Sequence, residues 1–244
     1  MPLFFVDKSN ISEGALLIEG DDARHIARSL RMAVGDSLSV SDGEGVLYSC
    51  VLSKIRDELC ECEIISKEVS KAESPVDITL YMAYPKSDKL ETIIQKAAEL
   101  GAKRIIPFES SRCIKRPSED KAKQRLLRLN RIAKEACGQS GRASIATVGD
   151  TLSFAKVIEE CDNYDLALFC YEGDGTKTLR EILKANGSAR TVAVVVGSEG
   201  GFSPEEAKAA RDGGLSMTGL GNRILRCETA PLFALSCISY ELEL

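Results

Sequence analysis

Residues 192–206 read VAVVVGSEGGFSPEE: an apolar run, a glycine-rich turn and a helix start in succession. Val192–Val196 are apolar without interruption. A run of that kind fits a strand covered on both faces, as in a parallel sheet. Gly197, Ser198, Glu199, Gly200 and Gly201 follow, and then a helix start. Ser203 stands where an N-cap belongs, Pro204 at the first helical position and Glu206 where a capping box requires it. Gly213 and Gly214 predict the end of that helix. Ligands of parallel sheets gather beyond the carboxyl ends of strands, so the glycine turn is a candidate binding site. It fails the dinucleotide pattern G-x-G-x-x-G, whose second and third glycines would fall on Glu199 and Phe202. It fails the P-loop as well, which also requires a lysine. Glu199 opposes phosphate directly, because one anion among the loop amides repels another. A cationic or amine-bearing ligand suits the turn better. The competing reading is a tight turn whose glycines let the chain pass close to another segment.

A second glycine-rich stretch follows at 219–237, GLGNRILRCETAPLFALSC. Gly219-x-Gly221 begins like a dinucleotide loop, but Ile224 occupies the third glycine position. Arg223 and Arg226 frame an apolar Ile-Leu pair. Leu and Ile around a backbone turn suit a flat adenine ring read by main-chain groups. Glu228, Thr229 and Pro231 then start a helix that is apolar at Leu232, Phe233, Leu235 and Ile238. A helix this apolar is either ordinary core or a subunit interface.

Strands and helices alternate from Asp77 onward, which predicts an α/β domain with a largely parallel sheet. DITLYMAY (77–84), KRIIPF (103–108), DLALFCY (165–171) and TVAVVV (191–196) read as strands. SDKLETIIQKAAELG (87–101) reads as an amphipathic helix with Ser87 as cap and Gly101 as stop. Ser118 to Ser140 reads as a long basic helix with Leu126, Leu127, Leu129, Ile132 and Ala133 on its apolar side. Further helices are expected near 151–160 and 176–186. Before Asp77 the rhythm is different. SLSVSDGEGVLYSCVLSKIRDELCECEII (37–65) alternates apolar and polar residues with Asp-Gly and Glu-Gly punctuation, as a small β-barrel or sandwich would. One short helix is expected from about Asp21 to Leu30, capped by Asp21 or Asp22. SKEVSKAESPVD (66–77) is polar, ends in Ser-Pro and is the best linker candidate.

The 244 residues carry a net charge of −5 and are 44% hydrophobic. No apolar run is long enough to span a membrane. The first residues, MPLFFVDKSN, lack the features of a secretory signal, so a cytoplasmic location is expected. Nine scattered cysteines and a single histidine, His25, argue against a disulfide framework and against a Cys/His metal site. An acidic chain disfavours a nucleic-acid partner, but the charge is unevenly placed. Between Lys103 and Arg142 twelve basic residues face four acidic ones, a local charge of +8. Such a stripe binds a polyanion or is simply a solvated helix face.

Together the two glycine-rich stretches resemble the cofactor-binding motifs of the SPOUT methyltransferases, and more narrowly those of the RsmE family. The family pattern is G-P-E-G-G-[FL]-[ST], then L-G-x-[RK]-I-L-R-x-E-T-A. Here it is matched by Gly197 and Glu199–Ser203, then by Leu220, Gly221, Arg223–Arg226 and Glu228–Ala230. Lys86 with IIQKAAELG (93–101), GQSGR (138–142) and HIARSLRMAVGD (25–36) are further family-like blocks. Ser198 departs from the pattern where proline would stiffen the turn. The resemblance implies a PUA-like RNA-binding β-barrel over 1–72. It implies a trefoil-knotted SPOUT methyltransferase domain with a parallel sheet over 73–244. It also implies a homodimer with the active site at the subunit interface; the lack of a long apolar run and of a Cys/His cluster leads to the expectation of no membrane or metal partner.

The implied activity is transfer of a methyl group from S-adenosylmethionine to N3 of a uridine in small-subunit ribosomal RNA, free or in the 30S particle. Tyr171, Val196, Gly197, Glu199, Gly200, Leu220, Gly221, Asn222, Ile224, Leu225, Arg226 and Ala230 would hold the cofactor. Uridine N3 must lose a proton before it attacks, and its charge spreads to the flanking carbonyl oxygens. Arg226 is placed to stabilise that charge, unless it pairs with Glu228 or a helix end. Glu199 is a candidate base, as is a residue of a second subunit. RNA would meet Arg24, Arg28, Arg31, Arg112, Lys115, Arg116, Gln139 and Arg142. The alternatives are another SPOUT enzyme acting on a ribose 2′-oxygen or a tRNA base, and an RNA-binding module without catalysis. A nucleotide-dependent oxidoreductase is weakened by the two failed glycine patterns.

Overall fold

A computed structural model describes residues 3–56, 58–86, 89–113 and 121–243. The chain forms two compact units. One takes Met1–Glu73 together with Cys137–Ile145; the other takes Ser74–Ala136 and Ala146–Leu244. A single cut at 72/73 does not foresee the return of 137–145 to the N-terminal unit.

The N-terminal unit holds strands β1 (Leu3–Phe5), β2 (Ile11–Ser12), β3 (Ala15–Glu19), β4 (Ser37–Ser41), β5 (Val46–Arg56) and β6 (Leu59–Val69). They make one sheet in the order β1-β4-β5-β6-β3-β2. The alternation in the sequence puts Leu38, Val40, Cys50, Leu52, Cys60 and Cys62 into one core with Leu16, Ile18 and Ile26. Segment 137–145 is tied to this unit by polar contacts. Ser41 Oγ donates to Ala143 O, and Glu73 accepts from the Ser144 N–H at 2.9 Å and from Arg142 at 3.1 Å.

Three local expectations are corrected here. The segment 66–77 is not all linker: β6 continues to Val69, leaving 70–76 as the connection. The short helix α1 (Gly20–Arg24) is preceded by Glu19, so Asp21 and Asp22 lie in its first turn rather than at its cap. It widens at once into a π-turn, His25–Ser29, closed by the Leu30 N–H on His25 O. The wider turn shifts the phase of the face, so Ile26 is buried while Leu30 is exposed.

The second unit contains β7 (Asp77–Ala83), α2 (Lys89–Glu99), β8 (Arg104–Glu109), α3 (Ala122–Ser140, whose last residues belong to the first unit), β9 (Thr147–Val148) and β10 (Leu152–Ser153). Then come α4 (Phe154–Cys161), β11 (Leu166–Cys170), β12 (Lys177–Thr178), α5 (Leu179–Ala185), β13 (Thr191–Val196), α6 (Pro204–Asp212), β14 (Ser216–Gly219) and α7 (Thr229–Leu242). Its sheet runs β10-β8-β7-β13-β11-β14-β12, and β9 pairs with β8; every pair is parallel. Six of the seven residues of β7 and five of the six of β13 are buried, which explains their unbroken apolar sequences. The α/β reading with a parallel sheet is borne out. The cap expected at Ser87 and the helix start expected at Ser118 lie outside the described residues. Leu127, expected on the apolar side of α3, is 65% exposed, while its neighbours Leu129 and Ala133 are buried. A helix turns about 100° per residue, so one stripe cannot bury Leu126, Leu127 and Leu129 equally.

Candidate functional site

Three adjacent parallel strands, β13, β11 and β14, end side by side. Their carboxyl ends open into a cleft of about 670 Å³. Tyr171 lies just past β11, Val196–Phe202 close β13 and lead into α6, and Gly219–Cys227 with Ala230 connect β14 to α7. All twelve residues expected to hold a cofactor line this one cleft.

The glycine turn is fixed from both sides. Ser198 O accepts from the Gly201 N–H at 2.9 Å, and Gly201 has φ +62°, a conformation that favours glycine. A side chain on Gly197 would meet the Gly201 backbone and the Phe202 ring at 3.2 Å. Phe202 is the anchor. Its ring sits 4.2 Å from Phe169 and stacks on Phe108 at 6.3 Å, within the core. Burial of such a ring stabilises by about 2 kcal/mol, so the turn is held rigidly over the strand ends. The capping box is present as expected. Ser203 Oγ accepts from the Glu206 N–H, and Glu206 Oε2 accepts from the Ser203 N–H at 2.9 Å. Glu206 does more than cap: its Oε1 accepts from the Ser111 N–H at 2.7 Å. Ser198 is buried, and its hydroxyl makes a long 3.5 Å contact with Arg112 O.

Glu199 is held by one cation and by backbone amides. Its carboxylate accepts from the Lys86 N–H at 3.2 Å and lies 3.1 Å from Lys89 Nζ. Burial raises its pKa, but its own backbone N–H, Lys89 and Lys86 outweigh that and hold it below the usual carboxylate range. Lys89 also lies 3.0 Å from Glu228, whose carboxyl is brought down to about 2, chiefly by that ammonium. Cys227, between them, is pushed up to about 12 by burial and by its 3.2 Å bond to Glu228. The thiol is therefore a neutral donor there. Lys89 was not singled out by the sequence. The available signal was a lysine in the first turn of a helix, where the dipole disfavours a cation and a carboxylate partner is needed.

Arg226 is exposed on the cleft, and among the described residues no carboxylate pairs with it; Glu228 is taken by Lys89. The expected alternative, an Arg226–Glu228 pair, does not form. Ile224 lines the cleft but is 85% exposed, so by itself this chain does not cover an adenine-sized group there.

The residues expected to meet RNA fall into separate groups. Arg24 lies on α1, Arg28 on the π-turn and Arg31 just past it, with Arg24 paired to Asp21 and Glu58. Arg31 has φ +52° and is exposed. His25 sets its ring edge-on to Phe4. Gln139 is exposed at the end of α3. Arg112 is exposed, but its Nη1 donates to Gly200 O at 3.0 Å. Arg142 is corrected: its side chain is only 5% exposed and is engaged with Glu73, so it offers no charge to a polyanion. Lys115 and Arg116 lie outside the described residues. Among the described residues, no group of three His, Cys, Asp or Glu is placed to hold a metal, and no helix is long and apolar enough to cross a membrane.

This architecture is that of an RNA methyltransferase. The RNA methyltransferase domain family matches residues 72–239, and the RNA methyltransferase PUA domain matches residues 18–65. More narrowly, the chain belongs to the family of ribosomal RNA small subunit methyltransferase E. It is 34% identical to that protein of Bacillus subtilis (strain 168) over 251 residues, covering all of this chain and 98% of the relative. A crystal structure of ribosomal RNA small subunit methyltransferase E from Neisseria gonorrhoeae, bound to S-adenosyl methionine, superposes with a TM-score of 0.89. It shares 29% identity and covers 98% of this chain and 97% of that one. A putative methyltransferase from Legionella pneumophila, in complex with the same cofactor, gives 0.87 at 27% identity, covering 98% and 96%.

Proposed function

We propose that this chain binds S-adenosylmethionine in the glycine-turn cleft and methylates N3 of a uridine in small-subunit ribosomal RNA, free or in the 30S particle. The observation that carries this reading is the convergence of three parallel strand ends and two glycine-rich loops on one cleft. The residues present fit the cofactor. Glycines leave the backbone bare at the turn, Glu199 and Glu172 offer anionic oxygens to an amine, and Leu220, Leu225 and Ala230 supply an apolar wall.

When bound, the cofactor supplies an electrophilic methyl group; a C–N bond to N3 forms as the S–C bond breaks, and the N3 proton passes to a base. Arg226, with its guanidinium unpaired among the described residues, donates to the uracil carbonyl oxygens as charge develops on them. One such donor is worth about 3 kcal/mol in the transition state. Glu199 is a poor candidate for the base, because it is already an ion-paired acceptor; it holds the turn and faces the cofactor's cation. Alignment of N3 with the methyl group supplies much of the remaining rate.

The chain acts as a homodimer. Ile224, Phe233 and Tyr240 expose apolar surface around the second loop and along α7, and a second copy covering them would complete the adenine side of the cleft. The connections through the two loops form the trefoil knot that the family pattern implies. RNA meets Arg28, Arg31, Arg112 and Gln139, with Lys115 and Arg116 between them in sequence, and the base must be turned out of its stack to reach the cleft. The enzyme works in the cytoplasm. Comparing the methylated nucleotides of ribosomal RNA with and without the gene tests the reading. Loss of one N3-methyluridine is expected, and an unchanged map would overturn it.

A further inference from the structure

We propose that Lys89 is a positioning residue whose ammonium clamps the first cofactor loop, through Glu199, to the second, through Glu228, and so sets the width of the cleft. This rests on the cleft being the S-adenosylmethionine site. Nζ lies 3.1 Å from Glu199 Oε1 and 3.0 Å from Glu228 Oε2, and 3.8 Å from Cys227 Sγ. Three segments distant in sequence thus meet at one atom: the start of α2, the glycine turn and the turn into α7. The three side chains are half-buried, which weakens solvent screening compared with a surface pair.

The local preference of the helix opposes a lysine in this place, since the first turn of α2 presents the positive end of its dipole. Tertiary contacts therefore hold it there. Among the described residues no other ammonium or guanidinium pairs with Glu199 or Glu228. Without Lys89 the two carboxylates repel each other across the mouth of the cleft, and the loops that carry them part.

A clamp and a simple charge neutraliser make opposite predictions. S-adenosylmethionine carries a sulfonium cation; S-adenosylhomocysteine does not. If Lys89 served only to cancel charge, its removal would leave two bare carboxylates that favour the cation, and the methylated cofactor would gain over the product. If it holds the loops, both ligands weaken together.

The test uses the full chain with Lys89→Met, Lys89→Arg and Glu228→Gln, titrated calorimetrically with both ligands and assayed on ribosomal RNA. Lys89→Met raises both dissociation constants by the same factor, about tenfold or more, which is one 1.4 kcal/mol step. Its KM for cofactor rises in parallel, while the KM for RNA stays within about twofold. Lys89→Arg restores most of the affinity. Glu228→Gln, which keeps the fold if Lys89→Met does not, produces a smaller rise in both constants. Cofactor binding by Lys89→Met as tight as in the unmodified chain overturns the clamp, as does a gain in preference for S-adenosylmethionine. Failure of the unmodified chain to bind either ligand would instead overturn the reading of the cleft.

Discussion

Arg112 Nη1 donates to the carbonyl of Gly200 at 3.0 Å, and a side chain on Gly200 would meet Arg112 Cβ at 3.0 Å and its carbonyl oxygen at 3.3 Å. Arg112, one of the basic residues between Lys103 and Arg142, is therefore in direct contact with the cofactor turn. Gly200→Ala must displace one of them. It is expected to weaken S-adenosylmethionine binding about tenfold while shifting stability by under about 1.5 kcal/mol, because the strain is local to an exposed turn. Calorimetry and thermal unfolding check the two halves. Unchanged affinity would mean that the turn does not shape the cleft.

Arg226 gives the opposite pattern. It has no carboxylate partner among the described residues, so removing it strands no buried charge. Arg226→Ala is expected to lower kcat by about 10²–10³ and to change the cofactor dissociation constant and the unfolding free energy little. A large loss of stability with kcat intact would assign Arg226 to structure.

Arg142 and Arg31 separate structural from polyanion-binding charge. Arg142→Ala leaves Glu73 without its ion pair and is expected to cost about 3 kcal/mol of stability. Arg31→Ala is expected to leave stability nearly unchanged. It should weaken RNA binding and reduce the slope of log affinity against log salt by about 1. Filter binding at several salt concentrations reads both.

The Lys89–Glu228 pair has a pH signature. The Glu228 carboxyl is held at about 2 against an ordinary 4.5, chiefly by Lys89. A depressed carboxyl contributes stability that is complete above the unfolded value and is lost as pH falls toward the folded one. The difference in unfolding free energy between the unmodified chain and Lys89→Met is therefore expected to be level above about pH 5 and to shrink from there toward pH 2. Urea titrations at each pH measure it; a gap that does not change with pH would dissociate Lys89 from Glu228.

What was legible in the sequence followed from local rules. The unbroken apolar run of β13, the Ser203–Glu206 box and the failure of the phosphate-loop spacings are all decided within a few residues, and the twelve cofactor residues that the family resemblance implied, from two such stretches and one strand end, all line the cleft. What was missed depends on distant partners. Lys89 gains its role from Glu199 and Glu228, far along the chain, and only its awkward place at a helix start hinted at it. Arg142 counted as one charge in a basic stripe, yet it is buried against Glu73, which no charge count detects. Ile224 matched an adenine-binding pattern and does line the cleft, but it is 85% exposed within this chain, and no local pattern says what would cover it. Ser198 keeps the turn closed through the Gly201 N–H, so the missing proline does not prevent the turn from forming.

The most direct measurement is nucleoside analysis of small-subunit ribosomal RNA lacking the modification after incubation with the purified chain and S-adenosylmethionine. One N3-methyluridine per RNA is expected with the unmodified chain, and almost none with Arg226→Ala at equal cofactor occupancy. A methyl group on a ribose oxygen or another base, or full activity in Arg226→Ala, would contradict it.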